Sequence, residues 1–211
     1  SFNRKNVSLK RIKILISSGI WNSFNRLSSV LSEGLDLLIT NLFISSEMMG
    51  VLAVAKMVPS VILTLIGYVA AVFTPSYAIA YAKNDKSELM AKIRQCMIVM
   101  GVLSNICLIV LISIGEDFFK LWVPGQDAEM LQQLSIITII GIAISGITQC
   151  IFDIFTITNK LKANSIVSFI SNVFNILIVF IILKSTNLGV YAVAGVSAII
   201  TIIRNILCSI P

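Results

Sequence analysis

The stretch SSGIWNSFNRLSSVLSEGLDLLI, Ser17 to Ile39, places Arg26, Glu33 and Asp36 among many Leu and Ile. Wound at about 100° per residue, Asn22, Arg26, Ser29, Glu33, Asp36 and Thr40 fall on one side. Ile20, Phe24, Leu27, Leu31, Leu35 and Leu38 fall on the other. A run of about 20 mostly apolar residues suffices to cross a bilayer. An ion at the centre of such a span costs about 2.5–3.5 kcal/mol, and each large apolar residue returns about 0.3–0.6. Three ions therefore cost about 9 kcal/mol, against about 6 from the apolar residues. We expect this helix to need a polar partner surface or a water-filled cavity.

The rest of the chain is also oily. Of 211 residues, 57% are hydrophobic and 12% charged, against about 25% charged in water-soluble domains. Lipid must be the solvent for most of its surface. The absence of His excludes His-based zinc sites and His acid–base catalysis. Cys96, Cys107, Cys150 and Cys208 lie in or beside apolar runs. We expect them to be small buried hydrophobes, with neither a disulfide framework nor a metal knuckle. Neither metal nor cofactor is expected, nor enzyme chemistry. With Ser rather than Met at position 1 and no signal-peptide pattern, the chain is expected to begin inside a longer protein.

Six spans are expected, at about 14–43, 49–82, 93–114, 131–158, 163–184 and 188–208, making residues 1–211 one transmembrane unit. The second is too long for one straight span, and Pro59 and Pro75 each invite a bend. Gly101, Gly141, Gly146 and Gly195 suit close helix approach. Lys and Arg gather in 4–13, 83–94 and 160–162 and at Arg204, whereas the opposite connections hold only Lys120 and Lys184. By the positive-inside rule, both ends of the chain lie in the cytoplasm. The net charge of +6 is thus mostly a topology signal, with membrane lipids and not nucleic acid as the surroundings.

Other spans carry polar stripes that could face the first: Lys56, Ser60, Gly67 and Thr74; Gly141, Ser145, Gln149, Asp153 and Thr156; Asn164, Ser168, Ser171 and Asn175. Three readings stay open for the ions. They line a functional cavity, they pair structurally with Lys56 and Asp153, or the first segment lies flat in the interface. The stripe around Asn175 reads first as interhelical hydrogen bonding. In the outer connection GEDFFKLWVPGQDAEM, adjacent Glu116 and Asp117 make no convincing acid–base pair. Phe118, Phe119, Leu121 and Trp122 read as an interfacial aromatic belt.

SSGIWNSFNRLSSVLSEGLDLLITNLFI, MGVLAVAKMVPSVI, VFTPSYAIAYAKNDKSELMAKI, FFKLWVP and ITNKLKANSIVSFISNVFNILIVFIIL, in that order, resemble the polysaccharide transporters that include O-antigen and capsule flippases. The likeness continues through LGVYAVAGVSAIITIIRNIL. These transporters belong to the multidrug/oligosaccharidyl-lipid/polysaccharide exporter superfamily, built from two six-helix lobes around a central cavity. The resemblance implies an all-α membrane bundle forming the second lobe, with the N-terminal lobe of the same protein as its missing partner. It implies alternating-access flipping of an undecaprenyl-pyrophosphate-linked oligosaccharide across the bacterial cytoplasmic membrane. On that reading Arg26, Lys56 and Asn22 bind substrate, and Glu33, Asp36 and Asp153 couple ions or gate. The alternatives are a cation-coupled drug or metabolite exporter of the same superfamily, and a membrane-bound glycan polymerase. The latter should carry a large outward loop with clustered Arg or His, which this chain lacks.

Overall fold

A computed structural model describes residues 9–157 and 161–209. Its elements are α1 (Leu9–Phe43), α2 (Ser46–Ala71), α3 (Thr74–Ala82), α4 (Lys86–Trp122), α5 (Ala128–Ile157), α6 (Leu161–Ser185) and α7 (Val190–Ser209). The described residues contain no strand. Among the described residues, five spans are long and apolar enough to cross a membrane: Ser46–Ala82, Lys86–Trp122, Ala128–Thr148, Ser165–Ser185 and Val190–Leu207. In α1 the apolar stretch is shorter, Gly34–Phe43. This is a multi-pass membrane protein.

Local chemistry sets the breaks between helices. Ser45 caps α2 by accepting from the Met48 N–H at 3.1 Å, and Glu47 adds negative charge to the positive end of the helix dipole. Before α4, Asn84 takes a left-handed φ of 57°, which Asn tolerates better than most residues. Asp85 then accepts from the Glu88 N–H at 2.9 Å and the Ser87 N–H at 3.0 Å. The Glu88 N–H, then the Ser87 hydroxyl, hold its carboxyl below the ordinary value. Any stability gained from Asp85 is therefore present above the ordinary carboxylate pKa and lost only in acid.

The two prolines behave differently. Pro75 stands in the first turn of α3, where a missing N–H leaves nothing unmade, and the chain breaks just before it. Pro59 sits inside an uninterrupted α2 and is buried. It cannot donate to the carbonyl four residues back, at Ala55. Ser135 of α5 donates its hydroxyl to that carbonyl at 2.7 Å. A neighbouring helix thus supplies the donor that Pro59 lacks. Ser135→Ala is expected to cost about 1–2 kcal/mol by leaving a buried carbonyl unmet. Ser135→Ala with Pro59→Ala should recover most of it, because residue 59 regains its N–H. Thermal midpoints of the single and double variants measure the coupling, and purely additive losses would count against it.

α5 is the hub, packed against α2, α4 and α7, while α1 packs chiefly on α6. Leu52 and Ala55 of α2, Leu131, Leu134 and Ile139 of α5, and Val193 of α7 form the main core. A second cluster joins Ile66, Ala70, Tyr77, Cys96, Met100 and Cys150. Outward faces are also apolar. Ile106, Ile109 and Ile112 on α4 are each more than half exposed, as suits contact with lipid.

Three sequence expectations need correction. Cys96 and Cys150 are joined in a disulfide between α4 and α5, with Cα atoms 6.5 Å apart. Spacing along the chain could not reveal it, because 54 residues separate them and only helix packing brings them together. Cys107 is a free thiol. Phe119 is not part of a belt: it is fully buried, its ring against those of Phe118 and Trp122. Gly195 meets nothing within 4 Å of a built Cβ, whereas Gly141 and Gly146 do mark close approaches, to Ala198 and to Ser104 with Ile66.

Candidate functional site: an ion pair where four helices meet

Helix lengths bring the polar residues to one level. Asp36 lies seven residues before the end of α1 and Lys56 ten residues after the start of α2. With about 1.5 Å of rise per residue, the two are about 10 and 15 Å from the short turn between them. The second hairpin repeats this. Asn175 lies ten residues before the end of α6, and Ser197 seven after the start of α7. Antiparallel pairing therefore sets four polar side chains at a common depth, provided each points inward.

They do. Lys56 Nζ donates to Asp36 Oδ2 at 2.5 Å. The Asp36 side chain is 5% exposed and that of Lys56 20%. The other carboxylate oxygen, Oδ1, accepts from the Ser197 hydroxyl at 2.8 Å and from Asn175 Nδ2 at 3.3 Å. Asn175 Nδ2 also donates to Ser197 Oγ at 3.0 Å. Behind Asp36, Thr40 Oγ1 donates to the Asp36 carbonyl at 2.8 Å. A buried carboxylate is tolerable only when paired and hydrogen-bonded. Here both oxygens are met. Lys56 is the more open member, so its charge is the one within reach of a ligand. The same turn of α2 is fixed from behind, because Ser135 holds the Ala55 carbonyl.

Of the residues singled out in the sequence, the fold joins Asp36 and Lys56 directly. Arg26 is exposed on α1, ten residues before Asp36 and so about 15 Å away along the axis. The side chains of Asn22, Glu33 and Asp153 lie outside the described ones. On α6, Asn175 of the polar stripe hydrogen-bonds between helices, and so do two residues outside it: Ser165 Oγ donates to the Trp21 carbonyl at 3.2 Å and Asn172 Nδ2 to the Ser28 carbonyl at 2.9 Å. Sequence reasoning placed Asn175 on that stripe but did not name it as a site residue. It missed Ser197, which stands alone in the apolar run VAGVSAII and carries no periodic signal. Among the described residues, no group of three or more His, Cys, Asp or Glu could hold a metal ion.

A family profile described as "Polysaccharide biosynthesis protein" matches residues 3–124, more than half of the chain. The chain belongs to the polysaccharide biosynthesis protein family. It is 26% identical over 205 residues to the uncharacterized membrane protein EpsK of Bacillus subtilis strain 168. That alignment covers 97% of this chain and 40% of EpsK. Among solved structures, it resembles a mutant MATE with TM-score 0.77 at 14% identity, covering 97% of this chain and 46% of that one. Against MATE in the bent conformation the TM-score is 0.76 at 15% identity, with 98% and 46% covered. This member of the family thus has the fold of about half a MATE chain. It spans less than half the length of each of these relatives.

Proposed function

We propose that this chain is one lobe of a transporter that flips an undecaprenyl-pyrophosphate-linked oligosaccharide between leaflets by rocking against a second lobe, and performs no covalent chemistry. The observation that carries the reading is the Lys56–Asp36 pair: a cation one-fifth open, held at the junction of four helices by a nearly closed acid. A lysine so placed can meet a phosphate oxygen as a point charge. The same pairing disfavours a cationic cargo, because Asp36 is already neutralised. Arg26, exposed on α1, would give the head group a second cation, with Asn22, four residues earlier in the chain, as a neutral ligand. Asp36 would gate by holding Lys56 until cargo arrives, and Glu33 and Asp153 are further gating or ion-coupling acids.

The N-terminal lobe of the same protein would supply the facing half of the cavity. Arg26→Ala in the full-length protein should cut export of the polysaccharide at least tenfold with membrane levels preserved, and Arg26→Lys should cut it less, since only Arg grips two oxygens at once. Export unchanged by Arg26→Ala would remove Arg26 from the site. Lipid-linked repeat units should also accumulate on the cytoplasmic leaflet when the parent gene is deleted; their absence there would sink the flippase reading.

The polar ends of α4 carry the orientation proposal. In the cytoplasmic membrane, with α1 counted as a sixth span, the Lys-rich ends face the cytoplasm. Asn84 and Gln126 flank α4 (Lys86–Trp122), which is about 55 Å long. Cysteines placed singly at these positions, with the native cysteines replaced, should label from opposite sides of intact cells: position 126 from outside, position 84 only after permeabilisation. Labelling of both from one side would overturn the topology.

A further inference from the structure

Ser197 has more partners than the ion pair requires. Its Oγ lies 2.8 Å from Asp36 Oδ1, 3.0 Å from Asn175 Nδ2 and 3.3 Å from Asn175 Oδ1. A hydroxyl has one proton and two acceptor sites, so it donates to one oxygen at a time. While Lys56 holds Oδ2, the Ser197 proton belongs on Asp36 Oδ1. Turned instead to Asn175 Oδ1, the hydroxyl offers a lone pair to Asp36, which can then act as the donor if it carries a proton. The cluster is thus hydrogen-bonded with Asp36 ionised and also with Asp36 neutral. No rearrangement of helices is needed between the two states, only rotation of one hydroxyl.

Charge makes the second state useful. If Lys56 left Asp36 for another anion, a buried carboxylate would remain without its counter-ion. Among the described residues, Lys56 of α2 is the one charged group paired with Asp36. The groups facing it from α6 and α7 are the neutral Asn175 and Ser197, and Thr40 lies one turn further along α1. Among the described side chains of the cluster only Lys56 carries a positive charge, so once it has left, a proton is what neutralises Asp36.

We propose that Ser197 and Asn175 are positioning residues that let Lys56 exchange Asp36 for a phosphate of the cargo. This rests on the reading of Lys56 as a phosphate ligand. As the Lys56 ammonium moves to the phosphate, a solvent proton, entering past the open side of Lys56, bonds to Asp36 Oδ1. The Ser197 hydroxyl turns to Asn175 Oδ1 and accepts from the new Asp36 O–H. One proton is taken up for each anion bound, and the site begins and ends with no unpaired charge. Binding therefore strengthens as pH falls, because the bound state holds more protons.

The test uses the full-length protein in lipid nanodiscs with inorganic diphosphate as probe, followed by calorimetry between pH 6 and 8 in buffers of different ionisation enthalpy. Titration of the diphosphate is common to all variants and cancels in their comparison. Ser197→Ala should weaken binding about tenfold at pH 6, flatten the rise in affinity on acidification and reduce the protons taken up. Ser197→Thr should restore all three. Should Ser197→Ala lower the folded amount, Ser197→Cys keeps the volume with a weaker donor and serves in its place. A pH profile and proton count equal to those of the unmodified protein, or failure of Ser197→Thr to rescue, overturns the exchange while leaving Lys56 as a ligand. Lys56→Gln with Asp36→Asn, which keeps a neutral hydrogen-bonded pair, should abolish diphosphate binding. Undiminished binding in that variant, or no binding by the unmodified protein, overturns the phosphate reading itself and the exchange with it.

Discussion

Lys56→Met is expected to lower the stability of the folded protein by about 3–5 kcal/mol, the cost of breaking a buried pair from one side. The substitution removes the only cation paired with Asp36 among the described residues and leaves Oδ2 without that partner, while Ser197 and Asn175 still serve Oδ1. Asp36→Asn in the same background should restore most of the stability. The charge is gone, and an amide can still accept from Ser197. Export should not return, since the cation has not. The thermal midpoint in detergent and the rate of polysaccharide export read the two effects separately. A Lys56→Met protein as stable as the unmodified one would show that the pair is dispensable to the fold.

Gly141→Leu is expected to be nearly as damaging, through packing alone. A Cβ at residue 141 would stand 3.3 Å from Ala198 Cα and 3.4 Å from its carbonyl oxygen. Those are backbone atoms, so no rotamer change relieves the contact and α5 and α7 must move apart. Even Gly141→Ala should cost about 1–3 kcal/mol, and the longer leucine more. Ala198 follows Ser197 directly, so moving α7 also draws the Ser197 hydroxyl from its 2.8 Å contact with Asp36. Export should therefore fall further in Gly141→Ala than the loss of folded protein explains. Gly195→Ala, where a Cβ meets nothing within 4 Å, is the matched control and should change little.

Much of the candidate site was legible in the chain before any packing was known. Asp36 and Lys56 stood out because an ion in an apolar span has no reason to persist without a partner. Arg26 stood out likewise, yet it is exposed and lies about two to three turns away along α1. Asn175 was visible only as one member of a polar stripe, and Ser165 and Asn172, which that stripe did not include, are the α6 residues that bond α1 carbonyls. A stripe tells which side of a helix is polar. It does not tell whether the partner is backbone, side chain or ligand.

Composition and period by themselves determined that this is an all-helical membrane bundle, because only lipid tolerates so apolar a surface and, with no strand pattern, only helices satisfy their backbone there. The sequence also determined where the helices turn: Ser45, Asp85 and Pro75 act on atoms within a few residues of themselves. Tertiary structure alone decided what meets across helices. It matched the Pro59 gap at the Ala55 carbonyl with the Ser135 hydroxyl, 80 residues away along the chain. It joined Cys96 to Cys150, took Phe119 into the core, and brought Ser197 to Asp36 across 161 residues. Helical period fixes a side chain's direction only relative to its own axis. The rotation and depth of one helix against the next come from the fit of its small and large residues, as at Gly141 and Ala198, and that fit is a property of the assembled bundle.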